Sequence, residues 1–281
     1  MIKVAIIGAG GFVGSAFASY IASKPGIELA EVTRGNYDRG AGIARDVVID
    51  ASCNSRKYLA DEDPFEDFAL SVSHKLRILR DFPADFHVHI SSVDVYGDLS
   101  SPQTTGEEVN SNDRSVSNYG FHKHLAEKLV THYSDHWLIL RLGGMVGPGL
   151  RKNPVYDIVH NKPLRVHPDS QYQFMATSDV ARIGWMLVER QIHGEVFNIC
   201  GEGLISPRDI ALIAGREVNL ELLSESDKPR IVNIDTRKIR QVTLLPATLE
   251  SIVRFLGANS ESKAQGANSL AKPPLTTGNG I

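Results

Sequence analysis

The feature that most constrains this chain is Val4-Ala5-Ile6-Ile7-Gly8-Ala9-Gly10-Gly11-Phe12-Val13-Gly14, an apolar run that breaks into glycines and resumes with helical spacing. A buried strand that ends in glycines spaced as Gly8, Gly11 and Gly14 lets backbone come close to a dinucleotide pyrophosphate, with the first N–H groups of the next helix aimed at it. Lys3 to Ile7 supplies the strand, and Phe12-Val13, Ala16-Phe17 and Tyr20-Ile21 supply the helix, which is the context such a motif requires. Gly8, Gly10, Gly11, Phe12, Val13 and Gly14 are therefore the candidate cofactor-binding residues of the loop.

The next segments extend the pattern. Pro25-Gly26 makes a turn and Ile27 to Thr33 reads as a second strand, whose end in a dinucleotide fold faces the adenosine ribose. That end reads Val32-Thr33-Arg34-Gly35, with a cation and no acid at the tip, so NADP is expected, with NAD as the alternative. Asp46 to Ser52 is a third strand, and the stretch between it and Gly35 is too short for a strand with a crossover helix, so one β-α unit is missing from the first half. Helical spacing through Phe65, Phe68, Val72, Leu76 and Leu79 predicts a helix over Pro64 to Arg80. His87 to Ile90 is a strand that runs into Ser91-Ser92-Val93-Asp94-Val95-Tyr96-Gly97 at its carboxyl end, where this architecture places ligands.

Asp98 to Asn118 is polar and aperiodic, long enough for a substrate-side loop. A helix restarts near Asn118 and carries Tyr119 and Lys123 on one face. Trp137 to Leu142 is a strand ending in the loop Gly143 to Gly149, and Gly194 to Gly201 is a last apolar strand. Thr177 or Ser178 reads as the cap of one further helix, and Ser206-Pro207-Arg208-Asp209 repeats that start signal. From Ser260 the chain turns to Ser, Gly, Asn, Lys and Pro without a helical face and is expected to be disordered.

Tyrosine can donate a proton to a developing alkoxide, although its ordinary pKa of ~10 makes it a poor base. A lysine one turn along the helix favours the phenolate and can also hold a ribose hydroxyl of a cofactor. Ser92 is placed to donate to the same substrate oxygen. Ser92, Tyr119 and Lys123 are the candidate catalytic residues, and Arg34, Tyr119 and Lys123 join the glycine loop as candidate cofactor-binding residues.

Together these motifs make the chain resemble an extended short-chain dehydrogenase/reductase of the NAD-dependent epimerase/dehydratase family, whose members typically act on nucleotide sugars. The resemblance rests on the glycine loop, on Ser91 to Gly97, on Tyr119 with Lys123, and on Arg141-Leu142-Gly143-Gly144-Met145-Val146-Gly147-Pro148-Gly149, and spans roughly residues 2 to 257. It implies an α/β fold with a doubly wound, Rossmann-like parallel sheet, shortened after the second strand, and a small C-terminal substrate lobe. Residues 1–150 would form the dinucleotide-binding domain and 151–259 mainly the substrate lobe, partly returning to the core sheet, with 260–281 as the tail. Ser92, Asp94 and Gly143 would line the substrate site. Dehydratases of this family carry an acidic pair directly after the strand-end Ser or Thr, and here that pair is Val93-Asp94, which argues against dehydration. An arginine for the sugar nucleotide's diphosphate is usual near Tyr172-Gln173-Phe174; none aligns, and Arg165 and Arg230 are the replacements in reach. A homodimer through Pro64–Arg80 and Tyr119–Tyr133 is a further implication.

The expected chemistry is reduction of a nucleotide-linked keto sugar, with hydride from nicotinamide and the proton from Tyr119. An epimerase working by transient oxidation uses the same groups, and a catalytically inactive NADP-binding regulator is the alternative from another class. A net charge of -3, from 30 basic and 33 acidic residues, gives no reason to expect nucleic acid or an anionic membrane as partner. No apolar run approaches a membrane span, and Cys53 and Cys200 are too far apart for a metal or disulfide pattern. Both cysteines read as buried small hydrophobes, His122 and His124 as helix-surface residues with no metal role, and the compartment as the reducing cytoplasm.

Overall fold

The structure, a computed structural model, describes residues 1–109, 115–224 and 226–270, with side chains to 259. The strands and helices are β1 (Ile2–Ile7), α1 (Gly14–Ala22), β2 (Ile27–Val32), α2 (Tyr37–Gly40), β3 (Arg45–Asp50), α3 (Lys57–Glu62), α4 (Pro64–Phe68), α5 (His74–Asp81), β4 (Ala84–Ser92), α6 (Asn118–Tyr133), β5 (Trp137–Leu142), β6 (Gly144–Val146), α7 (Pro154–Val159), β7 (Phe174–Ala176), α8 (Thr177–Glu189), β8 (Glu195–Ile199), α9 (Pro207–Ile213), α10 (Arg237–Arg240) and α11 (Thr248–Leu270). Among the described residues the main sheet has six strands in the order β2-β1-β3-β4-β5-β8, every neighbouring pair parallel.

Its two faces follow from the period of two along each strand. In β1, Val4 and Ile6 join Phe17, Ile21, Val180, Ile183 and Leu187 from α1 and α8, while Ala5 and Ile7 join Val48, Ile78 and Phe82 on the opposite face. Both faces are covered, as an all-parallel sheet demands. The chain leaves β1 for β2 on one side and returns to β3 on the other, so the crevice where strand order reverses lies above the carboxyl ends of β1 and β3.

The missing β-α unit is visible as a missing edge. In the six-stranded dinucleotide order another strand would lie outside β2. Here β2 is itself the edge and is half exposed, and the one-turn α2 leads directly to β3. A smaller lobe gathers around Val146, Val155, Ile158, Leu164, Phe174, Ile210 and Ile252, with β6 and β7 forming a two-stranded parallel ladder inside it.

Four expectations change. The helix predicted over Pro64 to Arg80 is α4 and α5 joined by a π-helical turn, Ala69–Ser73. Its buried face is Asp67, Ser71, Val72, Lys75 and Ile78, whereas Phe65 is 86% exposed and Phe68 is 41% exposed. The polar residues lie inward because they find partners on other elements, which hydrophobic spacing does not register. Neither Thr177 nor Ser178 caps α8: Ala176 holds that position without a side-chain bond, since the helix grows directly out of β7. Ser206 does cap α9, in a reciprocal box with Asp209. Finally, α11 continues to Leu270 across the start of the expected disordered tail, because each residue added to an established helix gains one backbone bond; residues 271–281 of that tail lie outside the described residues. Among the described residues no helix is long and apolar enough to cross a membrane.

Candidate active site

The glycine loop turns at Gly8, whose φ of +82° is left-handed, and a Cβ there would stand 3.0 Å from the Ser52 backbone nitrogen. A Cβ on Gly14, the first residue of α1, would lie closer still to the Gly8 carbonyl oxygen. Helix and loop therefore meet backbone to backbone, which only glycine permits. Gly10 and Gly11 are exposed, Phe12 and Val13 half-buried, and Gly14 buried, so the loop presents main chain rather than side chains to the crevice. This is a cradle for a pyrophosphate at a helix start, and the residues present fit a dinucleotide. Arg34 is exposed just past the end of β2. Burial first, then the charges of Arg77 and Arg34, hold the His74 imidazole below its ordinary pKa, which places both guanidinium groups within reach of His74.

Ser92 ends β4, and its Oγ donates to Asp94 Oδ2 at 2.8 Å while accepting from the Asp94 N–H at 3.2 Å, which closes the one-turn 3-10 helix Val93–Val95. Against that turn stands the first turn of α6, capped by Ser117, whose Oγ accepts from the Gly120 N–H at 3.2 Å. A Cβ on Gly120 would fall inside contact distance of the Asp94 carbonyl oxygen. Gly120, invisible to motif reasoning, is thus what lets the helix bearing Tyr119 and Lys123 approach the strand end bearing Ser92. Gly120→Ala is expected to cost about 1–3 kcal/mol in chemical denaturation and to lower turnover as well, since the helix must back away from Ser92.

Tyr119 is 7% exposed, with the Lys123 ammonium 5.6 Å from its ring centroid. Burial raises the phenol pKa above its ordinary 10, and the opposing influence of Lys123 does not overcome it. The expected lowering is therefore reversed: desolvation of a phenolate outweighs one nearby cation. Lys123, itself 2% exposed, donates to Cys53 Sγ. Burial would lower its pKa, but Cys53 and Tyr119 outweigh that and raise it, so the ammonium persists. Cys53 is thus half-buried and engaged with Lys123, not a buried hydrophobe, whereas Cys200 is fully buried with its thiol pushed up to about 12 by burial. A Cβ on Gly143 would meet Cys200 Sγ at 2.5 Å, which fixes the start of the loop after β5.

Behind the site lie buried polar pairs that sequence reasoning missed. His122 is 8% exposed and its Nδ1 lies 2.6 Å from Asp67 Oδ2, so it is no surface histidine. Asn54 donates to the other Asp67 oxygen at 2.6 Å. Lys75 donates to Asp50 Oδ2, both groups being buried. Among the described residues no three His, Cys, Asp or Glu side chains converge as metal ligands. In the smaller lobe Arg230 Nε donates to Tyr172 OH at 2.9 Å and the guanidinium stacks on that ring, while Arg165 is exposed.

A sequence model of the NAD dependent epimerase/dehydratase family matches residues 4–200, from β1 through the end of β8. The chain belongs to that family. Membership makes it an NAD(P)-dependent enzyme of oxidoreductase or epimerase type. Solved structures sharing the fold include RMD from Pseudomonas aeruginosa complexed with NADPH, 19% identical over 94% of this chain and 100% of that one, with a TM-score of 0.78. UDP-glucuronic acid 4-epimerase from Bacillus cereus, in complex with UDP-glucuronic acid and NAD, is 20% identical over 94% of this chain and 99% of that one, with the same TM-score of 0.78. The dTDP-4-dehydrorhamnose reductase from Bacillus anthracis in complex with NADP is 16% identical over 90% and 97% of the two chains, TM-score 0.74. At such identities these likenesses describe the fold. No curated protein sequence matches the chain significantly.

Proposed function

We propose that this family member is a nucleotide-sugar epimerase that works by transient oxidation of a ring alcohol. The observation that carries the choice within an epimerase/dehydratase family is Val93. It is 5% exposed and packs with Val95, Tyr96 and Ile234, so the position where dehydratases carry their first acid is apolar and turned into the core. Elimination of water lacks that acid, whereas removal and return of a hydride at one carbon and of a proton at its oxygen does not need it.

A bound nicotinamide dinucleotide supplies or accepts the hydride; the remaining work falls to the chain. The glycine loop and the start of α1 hold the pyrophosphate, and Arg34 faces the adenosine side. Ser92 Oγ orients the substrate oxygen. Tyr119 takes the hydroxyl proton in the oxidising half and returns it to the same oxygen in the reducing half, when hydride would reach the opposite face of the carbon, with the Lys123 ammonium stabilising the phenolate between them. Arg230, steadied on Tyr172, is the candidate partner of the diphosphate. Phe65 and Phe68 on α4 and Phe121 and Tyr133 on α6 are exposed, on the two helices through which a homodimer would form.

A second reading, net reduction of a keto sugar, is favoured by two observations. The tip of β2 offers Arg34 to a 2'-phosphate, and burial keeps Tyr119 as the neutral phenol that a proton donor must be. A panel of UDP- and dTDP-linked sugars and 4-keto sugars with NAD or NADPH separates the two. Inverted product with no net change in nicotinamide absorbance is the expected result. Stoichiometric NADPH oxidation would replace it with the reductase, and water loss would overturn both.

A further inference from the structure

Three cationic side chains gather beside the catalytic pair with one carboxylate among them. Lys57, the first residue of α3, reaches across to Asp94 Oδ1 at 2.5 Å, and its ammonium lies 6.0 Å from the Tyr119 ring centroid. Lys152, from the loop after β6, donates to the carbonyl oxygen of Ser55, one residue before Arg56. The Arg56 side chain is exposed and makes no hydrogen bond or ion pair among the described residues. The Lys152 ammonium is held below its ordinary pKa first by burial and then by Lys57 and Arg56, a sign that the three charges feel one another. Among the described residues Asp94 is the one carboxylate paired with any of the three, and it already accepts from Ser92. Three cations beside one shared carboxylate, next to the hydroxyl and phenol proposed to handle the substrate oxygen, form a site with uncompensated positive charge.

We propose that Arg56, Lys57 and Lys152 bind a carboxylate carried by the sugar ring itself, which makes the substrate a nucleotide-linked uronic acid rather than a neutral hexose. The inference rests on the nucleotide-sugar reading. It adds the charge of the reacting end. A carboxylate is a bidentate acceptor that an arginine fork and an ammonium can share, and charge-assisted bonds of this kind are stronger than those a neutral hydroxymethyl group makes. Lys57 is held by Asp94 alone, so it can turn one of its remaining donors to the ligand without losing that partner. The diphosphate is the other anion such a substrate carries. The cations border Ser92, Asp94 and Tyr119, however, whereas Arg230 stands on Tyr172 in the smaller lobe, which gives the two anions separate holders.

The test measures equilibrium binding of UDP-glucuronate, UDP-glucose and UDP alone to the full chain with NADPH present, for the unaltered protein and for Arg56→Gln, Lys152→Gln and the double variant. UDP-glucuronate should bind roughly tenfold or more tightly than UDP-glucose. The double variant should erase that ratio, and the ratio should narrow as salt is raised. Equal binding of the two sugars, with either one turned over, would overturn the carboxylate site and leave the epimerase reading standing. Equal weakening of UDP alone would assign the cations to the diphosphate and overturn the proposal. Failure of every UDP compound and its dTDP counterpart to bind would overturn both readings. Thermal unfolding separates lost recognition from lost structure: Arg56→Gln should match the unaltered protein because Arg56 is exposed, and Lys152→Gln should lose no more than its bond to the Ser55 carbonyl.

Discussion

Tyr119→Phe is expected to lower kcat by roughly 10²–10⁴-fold in either direction of a keto–alcohol interconversion, the span usual for removal of a positioned general acid–base. Binding of NADPH should change little, because the proposed grip on the pyrophosphate is the glycine-loop backbone, which the substitution leaves intact. The phenylalanine fills the same buried volume, so thermal stability should also hold. The pH profile gives a second check. Burial raises the phenol pKa above 10, so in the reducing direction the protonated form, and with it the rate, should persist through neutrality and decline only in strong alkali. Full turnover by the variant would remove Tyr119 from the mechanism, whatever the fate of the epimerase reading.

The second large effect concerns stability. Glu127, on α6 and 3% exposed, accepts from Arg141 Nε at 3.0 Å and Nη2 at 2.7 Å and from Ser91 Oγ at 2.5 Å. Arg141 goes on to donate to Tyr96 OH at 2.9 Å, which donates to Asn198 Oδ1 at 2.9 Å. The network ties α6, β4, β5 and β8 together directly beneath the Ser92 strand end. Glu127→Ala should cost about 3–5 kcal/mol, because it leaves a guanidinium buried without its counter-charge. Urea unfolding checks this, and a loss under about 1 kcal/mol would show that water reaches Arg141.

The same carboxylate shapes the acid limb of stability. Burial alone would raise its pKa, but His124, 3.7 Å away, and the bonds from Arg141 and Ser91 bring it from 4.5 down to about 2. A group whose folded pKa is depressed contributes stability that is present above the unfolded value and is lost as pH falls toward the folded one. The unaltered protein should therefore lose this contribution between about pH 4.5 and 2. In Glu127→Gln that part of the acid dependence should vanish while the rest remains, as denaturation curves across the range would read.

Much of the fold is legible in the sequence because its signals are local. Apolar strands of alternating faces, the glycine spacing of residues 8 to 14 and the short stretch between Gly35 and Asp46 follow from backbone geometry and chain length. They define the parallel sheet, the cofactor loop and the missing edge strand. Ser92, Tyr119 and Lys123 are legible for a similar reason: a strand end and a helical turn fix where side chains emerge.

What lay beyond reach were charges that matter only through a partner far along the chain. Spacing cannot tell that Lys75 turns inward to Asp50, that His122 meets Asp67, or that Glu127 meets Arg141, because a buried ion is tolerable only when tertiary structure supplies its counter-charge. The same holds for Cys53 on Lys123, for Arg56, Lys57 and Lys152 gathering at one rim, and for the sign of the Tyr119 pKa shift, which depends on how completely the phenol leaves water. The sequence alone thus determined which backbone would form and where Ser92, Tyr119 and Lys123 emerge from it. The tertiary structure alone decided how those side chains are charged and what surrounds them, because electrostatic energy depends on distance and solvent exposure, and neither is set until the elements pack.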